Sequence, residues 1–219
     1  MGHTIGIALG SVSTCAAAWE RGQAQVLYSP EGARVTPSYV AFVDGDRVLV
    51  GAPAKRQAIM NPQRTVFGLK RFMGRPFDSP EVAQARRRLP FSIVPGPGGE
   101  ARVRIGERDL TTEELQALLL RRMKATAEEY FGEAVDSAVI AVPARFRDAQ
   151  RRAVKEAARL AGLRVRSLVG EPTAVALAAG AAQGERIAVV DFGGTLEVSI
   201  LGRTGGALHA HAVAADPLL

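Results

Sequence analysis

The chain has 219 residues, of which 47% are hydrophobic and 23% are charged, so its composition is that of a folded protein rather than a disordered one. This length suits one large domain or two small ones. No window reaches about 18 consecutive apolar residues, and the N-terminus lacks the pattern of a secretory signal, so we expect no membrane span and no leader. The net charge of +6 is spread along the chain beside acids, which argues against nucleic acid as a partner. The single cysteine, Cys15, excludes an internal disulfide and favours a reducing compartment, most simply the cytoplasm.

The first hundred residues predict short strands that are joined by turns. Gly10-Ser11 separates the first two strands, and a later hairpin is predicted to turn at Gly45-Asp46. A short helix then ends at Asn61-Pro62, because the residue before a proline disfavours helical geometry. The predicted elements are strands at 4–9, 15–19, 23–28, 38–43 and 47–50, helices at 53–60 and 80–88, and a strand at 101–105.

The second half alternates helices with strands. Thr111 and Glu114 have the spacing of a capping box at the start of a long helix, and Gly132 ends that helix. Pro172 suits the first position of a later helix. This alternation, after an antiparallel meander, predicts the α/β class with a mixed sheet. The predicted elements are helices at 111–131, 146–161 and 172–179, and strands at 137–142, 164–168, 186–192, 196–201 and 207–214.

The chain contains a weak internal repeat. Residues 187–201, IAVVDFGGTLEVSIL, echo residues 5–19, IGIALGSVSTCAAAW. Each copy is an apolar strand, a glycine turn and a second strand. This repeat suggests two related lobes, of which the second is cut short.

Two glycine turns are candidates for phosphate binding. Gly10-Ser11 and Gly193-Gly194 each follow an apolar strand. Without a side chain in the way, backbone N–H groups at such turns can approach phosphate oxygens. Taken alone, each turn is weak evidence, because a glycine between two strands is far more often part of a plain hairpin. No Walker-type lysine follows either turn, so a P-loop is excluded.

Three charged residues are candidates for chemistry. Lys70 could neutralise a transferring phosphate, although a surface lysine is the simpler interpretation. Glu171 precedes a helix, where an acid also complements the helix dipole. Asp191 ends a strand that we expect to be buried, and a buried carboxylate requires a partner or a metal.

Taken together, these segments resemble the seventy-kilodalton heat-shock protein family of DnaK-type chaperones. The resemblance covers nearly the whole chain, in the family's order and at near-constant spacing. Its most specific parts are residues 61–75, NPQRTVFGLKRFMGR, and residues 169–174, VGEPTA. Residues 5–19, 31–42 and 187–201 also match the family's segments.

The resemblance implies an actin-like (ribonuclease H-like) ATPase fold with two lobes around an ATP cleft. Lobe I would be essentially complete at residues 1–183, with a small subdomain inserted at about 37–112. Residues 184–219 would begin a truncated lobe II. The segments that hold adenine and ribose in the family would then lie beyond the last residue.

The family's ligands and functional residues can be carried over by position. Its cofactors are ATP or ADP with Mg²⁺, and its partners are unfolded client peptides, a J-protein and a nucleotide exchange factor. Glu171 and Asp191 would hold the metal through water. Pro143 and Arg151 would relay the nucleotide state to a substrate-binding domain. The implied catalytic residues are Lys70, Glu171, Asp191 and Thr195, and the implied phosphate-binding residues are Gly10, Ser11, Val12, Gly193, Gly194 and Thr195.

Several positions depart from the family's pattern. Ala8 stands where the family has an aspartate that helps to hold the hydrated magnesium ion, and Ser11 and Val12 replace two threonines. The second loop has two glycines, Gly193 and Gly194, instead of three, and Glu197 replaces an aspartate. Ser167 and Gly170 stand where a basic residue and an asparagine are usual, which weakens the expectation of J-protein docking.

Three hypotheses follow for the function. The first is an ATP-binding fragment of a divergent DnaK-type chaperone whose hydrolysis is impaired by the altered loops. The second is a degenerate, non-catalytic lobe that acts as a protein-interaction module. The third is a filament-forming relative of actin, which shares the fold but not the segments at 70–75 and 169–174.

Overall fold

Fifteen strands and five α-helices make up the part of the chain that the structure, a computed structural model, describes: residues 2–44, 47–182 and 184–216. The turn expected at Gly45-Asp46 lies outside these residues. The strands are β1 (His3–Leu9), β2 (Ser13–Glu20), β3 (Gln23–Val26), β4 (Thr36–Pro37), β5 (Tyr39–Phe42), β6 (Val48–Val50), β7 (Thr65–Phe67), β8 (Ser92–Pro95), β9 (Ala101–Ile105), β10 (Arg108–Thr111), β11 (Val135–Val142), β12 (Arg164–Gly170), β13 (Arg186–Phe192), β14 (Leu196–Thr204) and β15 (Ala207–Asp216). The helices are α1 (Ala52–Gln57), α2 (Pro80–Arg88), α3 (Thr112–Phe131), α4 (Asp148–Leu160) and α5 (Glu171–Ala178).

The largest sheet is mixed, as the sequence predicts. Its strands follow the order β12-β11-β1-β2-β3, and β4 also pairs with β2. The strand β1 runs parallel to β11 and antiparallel to β2. Because β1 alternates, Ile5, Ile7 and Leu9 are buried while Ala8 is exposed on the other face. The end of β1, and hence the first glycine turn, is therefore fixed by the centre of the sheet.

The helix α3 separates two hydrophobic cores. Its capping box is confirmed: the backbone N–H of Glu114 donates to Thr111 Oγ1 at 3.1 Å, and the backbone N–H of Thr111 donates to Glu114 Oε2 at 2.8 Å. Gly132 ends the helix with a φ of 69°. Leu120 and Met123 pack against the large sheet, whereas Leu115 belongs to the second core.

The second core holds the region that the resemblance treats as an insertion. Two three-stranded sheets, β6-β5-β7 and β10-β9-β8, pack there with α2. Phe72 and Val103 are fully buried in it, beside Leu115 of α3. Because Phe72 follows Lys70 and Arg71, this core fixes the position of both basic residues.

The third sheet corrects one expectation. Its order is β13-β14-β15, so three consecutive antiparallel strands repeat the arrangement of β1-β2-β3 and support the internal repeat. The strand β13 is not buried, however: Val189 is, but Val190 and Phe192 are 62% and 75% exposed. Among the described residues β13 has one neighbouring strand, and the eight-residue α5 covers only part of it.

No helix in the described part of the chain is long and apolar enough to cross a membrane.

The third sheet should be the first part of the chain that a protease cleaves. We propose that residues 1–183 fold without residues 184–219, because in the described part of the chain the buried cluster under this sheet consists of four residues, Ala176, Ala181, Val189 and Leu201. A small buried apolar area gives a low free energy of local opening. Limited trypsin digestion with mass spectrometry should therefore find the first cuts at Arg186 or Arg203. First cuts at Arg21, Arg34 or Arg47 would show that the proposed division is wrong.

Candidate functional site

The first glycine turn is held in one conformation. A Cβ on Gly10 would lie 2.3 Å from the carbonyl oxygen of Ser13, so only glycine fits. The Ser38 hydroxyl donates to the carbonyl oxygen of Gly10 at 2.8 Å. The backbone N–H of Ser38 donates to the carbonyl oxygen of Val12, also at 2.8 Å. Thr14 Oγ1 lies 2.9 Å from Ser38 Oγ. Ser38 therefore anchors residues 10–12, which we call the first loop.

The second glycine turn lies directly against the first loop. A Cβ on Gly194 would lie 2.9 Å from Ser11 Cβ and 3.2 Å from Val12 Cγ2. The backbone N–H of Gly193 donates to the carbonyl oxygen of Thr195 at 3.0 Å, which closes a tight turn. We call residues 193–195 the second loop. The structure thus brings together two turns that are more than 180 residues apart in the sequence.

A short 3₁₀ turn at Leu69–Arg71 connects the second loop and the start of α5 to the second core. Its Leu69 side chain is buried in the second core, and the side chains of the next two residues are partly buried. Lys70 Nζ forms an ion pair with Glu171 Oε1. Arg71 Nη2 donates to the carbonyl oxygen of Gly194 at 2.6 Å. Two consecutive basic residues therefore contact α5 and the second loop.

Glu171 is the group whose ionisation the site perturbs. It is the first residue of α5, so Pro172 occupies the second position rather than the first that the sequence predicted. Burial raises the pKa of its carboxyl group, while the Lys70 ammonium acts in the opposite direction and the nearby carboxylates of Asp191 and Glu197 raise it further. The three acids therefore lie close enough to repel one another.

Asp191 does not have the environment that we expected. Its side chain is exposed rather than buried, because β13 is largely uncovered. Across the β13–β14 pair it stands directly opposite Glu197. Like charges opposite each other destabilise a sheet. The significance of Asp191 lies in this pairing of acids and not in the cost of burying an isolated charge.

Magnesium coordination through water fits the arrangement of these acids. Among residues 2–44, 47–182 and 184–216, no group of three or more His, Cys, Asp or Glu side chains forms a direct metal site. The carboxylates of Glu171, Asp191 and Glu197 nevertheless repel one another, and a hydrated cation would relieve that repulsion. These residues are compatible with an indirectly held ion.

The two residues expected to relay the nucleotide state are connected through the backbone N–H and carbonyl groups of Phe146. The backbone N–H of Phe146 donates to the carbonyl oxygen of Pro143 at 3.1 Å. Arg151 Nε donates to the carbonyl oxygen of Phe146 at 2.9 Å. Pro143 and Arg151 are thus coupled across the start of α4, and Pro143 lies near Thr195 on the wall of one cavity.

Sequence patterns alone missed Arg71 and Ser38. Arg71 stands next to Lys70 within the family-like segment at residues 61–75, but no pattern in the sequence assigned it a role. Ser38 carries no motif, and its role depends on the pairing of β4 with β2, which joins Ser13 to Pro37. Both residues hold the loops in position through hydrogen bonds to backbone carbonyl groups.

Comparison with known proteins shows the family of the chain. A family model described as "Hsp70 protein" matches residues 4–219. The chain is 48% identical over 206 residues to the Chaperone protein DnaK of Burkholderia cenocepacia, an alignment that covers 92% of this chain and 32% of that protein. The chain therefore spans about a third of the length of this curated relative.

Proposed function

Because the chain belongs to the Hsp70 family, we propose that it is part of the ATP-binding domain of a DnaK-type molecular chaperone, with impaired hydrolysis. Family membership implies an actin-like ATPase fold, and the mixed sheet agrees with it. The observation that carries the proposal is the meeting of the two glycine loops, Gly194 against Ser11 and Val12, beside Lys70. Backbone N–H groups of such loops suit phosphate oxygens.

Each residue has a proposed task in this site. Lys70 would neutralise charge on the phosphate that is transferred, and Thr195 would lie near that phosphate. Glu171 and Asp191 would position the water shell of Mg²⁺. The bound Mg²⁺–ATP would supply the reactive phosphate and its charge. The protein's contribution would be to hold the loops, the lysine and the acids in register.

Three observations support impaired hydrolysis. Ala8 offers no carboxylate on the exposed face of β1, where the family has an acid. The second loop also packs directly on the side chains of Ser11 and Val12, which leaves little room for a phosphate between the loops. Lys70 is engaged by Glu171, so it must leave that ion pair to reach a phosphate.

The same contact between the loops favours a second candidate function. A lobe whose loops pack on each other can keep the fold without catalysis and act as a protein-interaction module. Membership of the Hsp70 family argues against the filament-forming alternative. Nucleotide titration of a form of the protein that includes a complete second lobe separates the two remaining candidates, because only the first requires that form to bind ATP.

The partners and location follow the family by analogy. We propose client peptides, a J-protein and a nucleotide exchange factor as partners, and the cytoplasm as the compartment. Ser167 and Gly170 weaken the case for the J-protein. The connection from Pro143 through Phe146 to Arg151 would carry the nucleotide state to another domain.

The chain of 219 residues should bind ATP weakly or not at all. Contacts from Gly10, Ser11 and Gly193 would serve only the phosphates, and the closed loops oppose even these. Calorimetric titration with Mg²⁺–ATP measures the dissociation constant. A parallel titration with sodium pyrophosphate reports the contribution of the phosphate contacts alone. A micromolar dissociation constant for ATP would contradict the expectation.

Recovery of hydrolysis should need two changes together. Ala8→Asp returns a carboxylate to the exposed face of β1, but the second loop would remain one glycine short. A positional error of about 1 Å can cost roughly 10²-fold in rate. The gain in hydrolysis rate from combining Ala8→Asp with a glycine inserted after Gly194 should therefore exceed the product of the gains from each change alone.

The measurement is single-turnover ATP hydrolysis in a form of the protein that includes a complete second lobe. The parent, each single change and the combination are compared. Cys15→Ser is a suitable control, since Cys15 pairs with Ala8 across β1 and β2 but contributes to neither loop. Full recovery with Ala8→Asp alone would show that the shortened loop is harmless.

A further inference from the structure

A cavity of about 440 Å³ extends from the two glycine loops to helix α2. Ser11, Lys70 and Thr195 line one end. The face of α2 that carries Glu81, Ala85 and Arg88 forms a wall at helical spacing. The segment from Pro143 to Gln150 forms part of the opposite wall. This volume is within the range of small-molecule sites.

The wall of the cavity is predominantly basic. Two acids, Glu81 and Glu197, face six basic side chains, which are Lys70, Arg71, Arg75, Arg88, Arg145 and Arg147. Concave surfaces lined by one sign of charge raise the local concentration of ligands of opposite charge. The cavity is therefore suited to an anion.

Arg75 and Arg145 are two basic side chains of this cavity that could bind an anion. Arg75 Nη1 pairs with Glu81 at 2.7 Å, but its Nε is buried without a hydrogen-bond partner. Arg145 Nη1 donates to the carbonyl oxygen of Ala215 at 3.1 Å, which holds its guanidinium on the opposite side. A guanidinium has five N–H donors in a fixed fork, so each keeps further donors for an oxyanion.

The start of α2 adds neutral donors to the same wall. Ser79 occupies the N-cap position, yet its hydroxyl makes no cap hydrogen bond, and its oxygen is buried without a partner. The N-terminus of a helix favours negative charge. An oxyanion that draws Arg75 and the Ser79 hydroxyl toward the cavity would satisfy both groups.

We propose that this cavity is a second phosphate site, in which Arg75, Ser79 and Arg145 bind a phosphate group next to the glycine loops. The phosphate can be free inorganic phosphate or the tail of a nucleotide that reaches past Thr195. Binding of free phosphate does not require that the chain bind or hydrolyse ATP, so this inference can fail or succeed separately from the proposed function.

The test is an NMR titration of the 219-residue chain with inorganic phosphate and, separately, with Mg²⁺–ATP, against sodium chloride at matched ionic strength. The variants are Arg75→Gln and Arg145→Gln, with Lys70→Gln to report on binding at the glycine loops. The matched control is Arg159→Gln, which also removes one arginine from an arginine–glutamate pair, on the exposed surface of α4. Thermal unfolding of each variant checks that the fold is retained.

Phosphate binding should weaken about tenfold in Arg75→Gln and in Arg145→Gln, and not in the control, because charge-assisted hydrogen bonds are lost. That result assigns the site to free phosphate. If only Mg²⁺–ATP binding weakens in these variants, the site takes the nucleotide tail. Equal binding of both reagents by all the variants would overturn the proposal. Loss of binding in Lys70→Gln alone would overturn it too, because the phosphate would then sit at the loops.

Discussion

The short turn at Leu69–Arg71 is the constraint on which the site depends. Lys70 reaches Glu171 at the start of α5, and Arg71 reaches the backbone of Gly194 in the second loop. An ion pair or charged hydrogen bond of low exposure is stronger than one on the surface, although part of the gain offsets desolvation. One turn therefore holds parts of the chain that are more than 100 residues away from it.

The two cores make that constraint effective. Phe72 and Leu69 fix the turn in the second core, while Ile7 and Leu9 fix the first loop in the large sheet. Helix α3 contributes Leu115 to one core and Leu120 to the other. Because close-packed cores transmit small displacements, the turn and the first loop keep a constant separation. The third sheet, with its small cluster, is held at the site by packing on α5, by the hydrogen bond from Arg145 to Ala215, and by the contact of Arg71 with the second loop.

The strands and helices with clear periodicity could be predicted from the sequence. The capping box at Thr111 and the glycine after Phe131 mark α3 within one residue. Strands β4, β7, β8 and β10, which have two to four residues each, were not predicted. The prediction that β13 is buried was wrong. An apolar sequence pattern does not show how many neighbouring elements cover a strand.

The candidate site also has parts that could be predicted from the sequence and parts that could not. Lys70 and Glu171 could be named from motifs, and the structure joins them in one ion pair. Their burial, the acids that raise the pKa of Glu171, and the packing of Gly194 on Val12 depend on long-range contacts. No local pattern encodes those contacts. The basic cavity beside α2 likewise exists only after β15 and the start of α4 come together.

Hydrogen exchange in Arg71→Gln tests this dependence most directly. The variant removes the charged donor to Gly194, whose loss corresponds to about 1.5–3 kcal/mol, or roughly tenfold or more in local opening. Amide exchange should accelerate at residues 193–195 and 11–12 but not in α3, and Arg159→Gln should match the wild type throughout. Unchanged exchange at both loops in Arg71→Gln would contradict the account, because the loops would then be held without the turn.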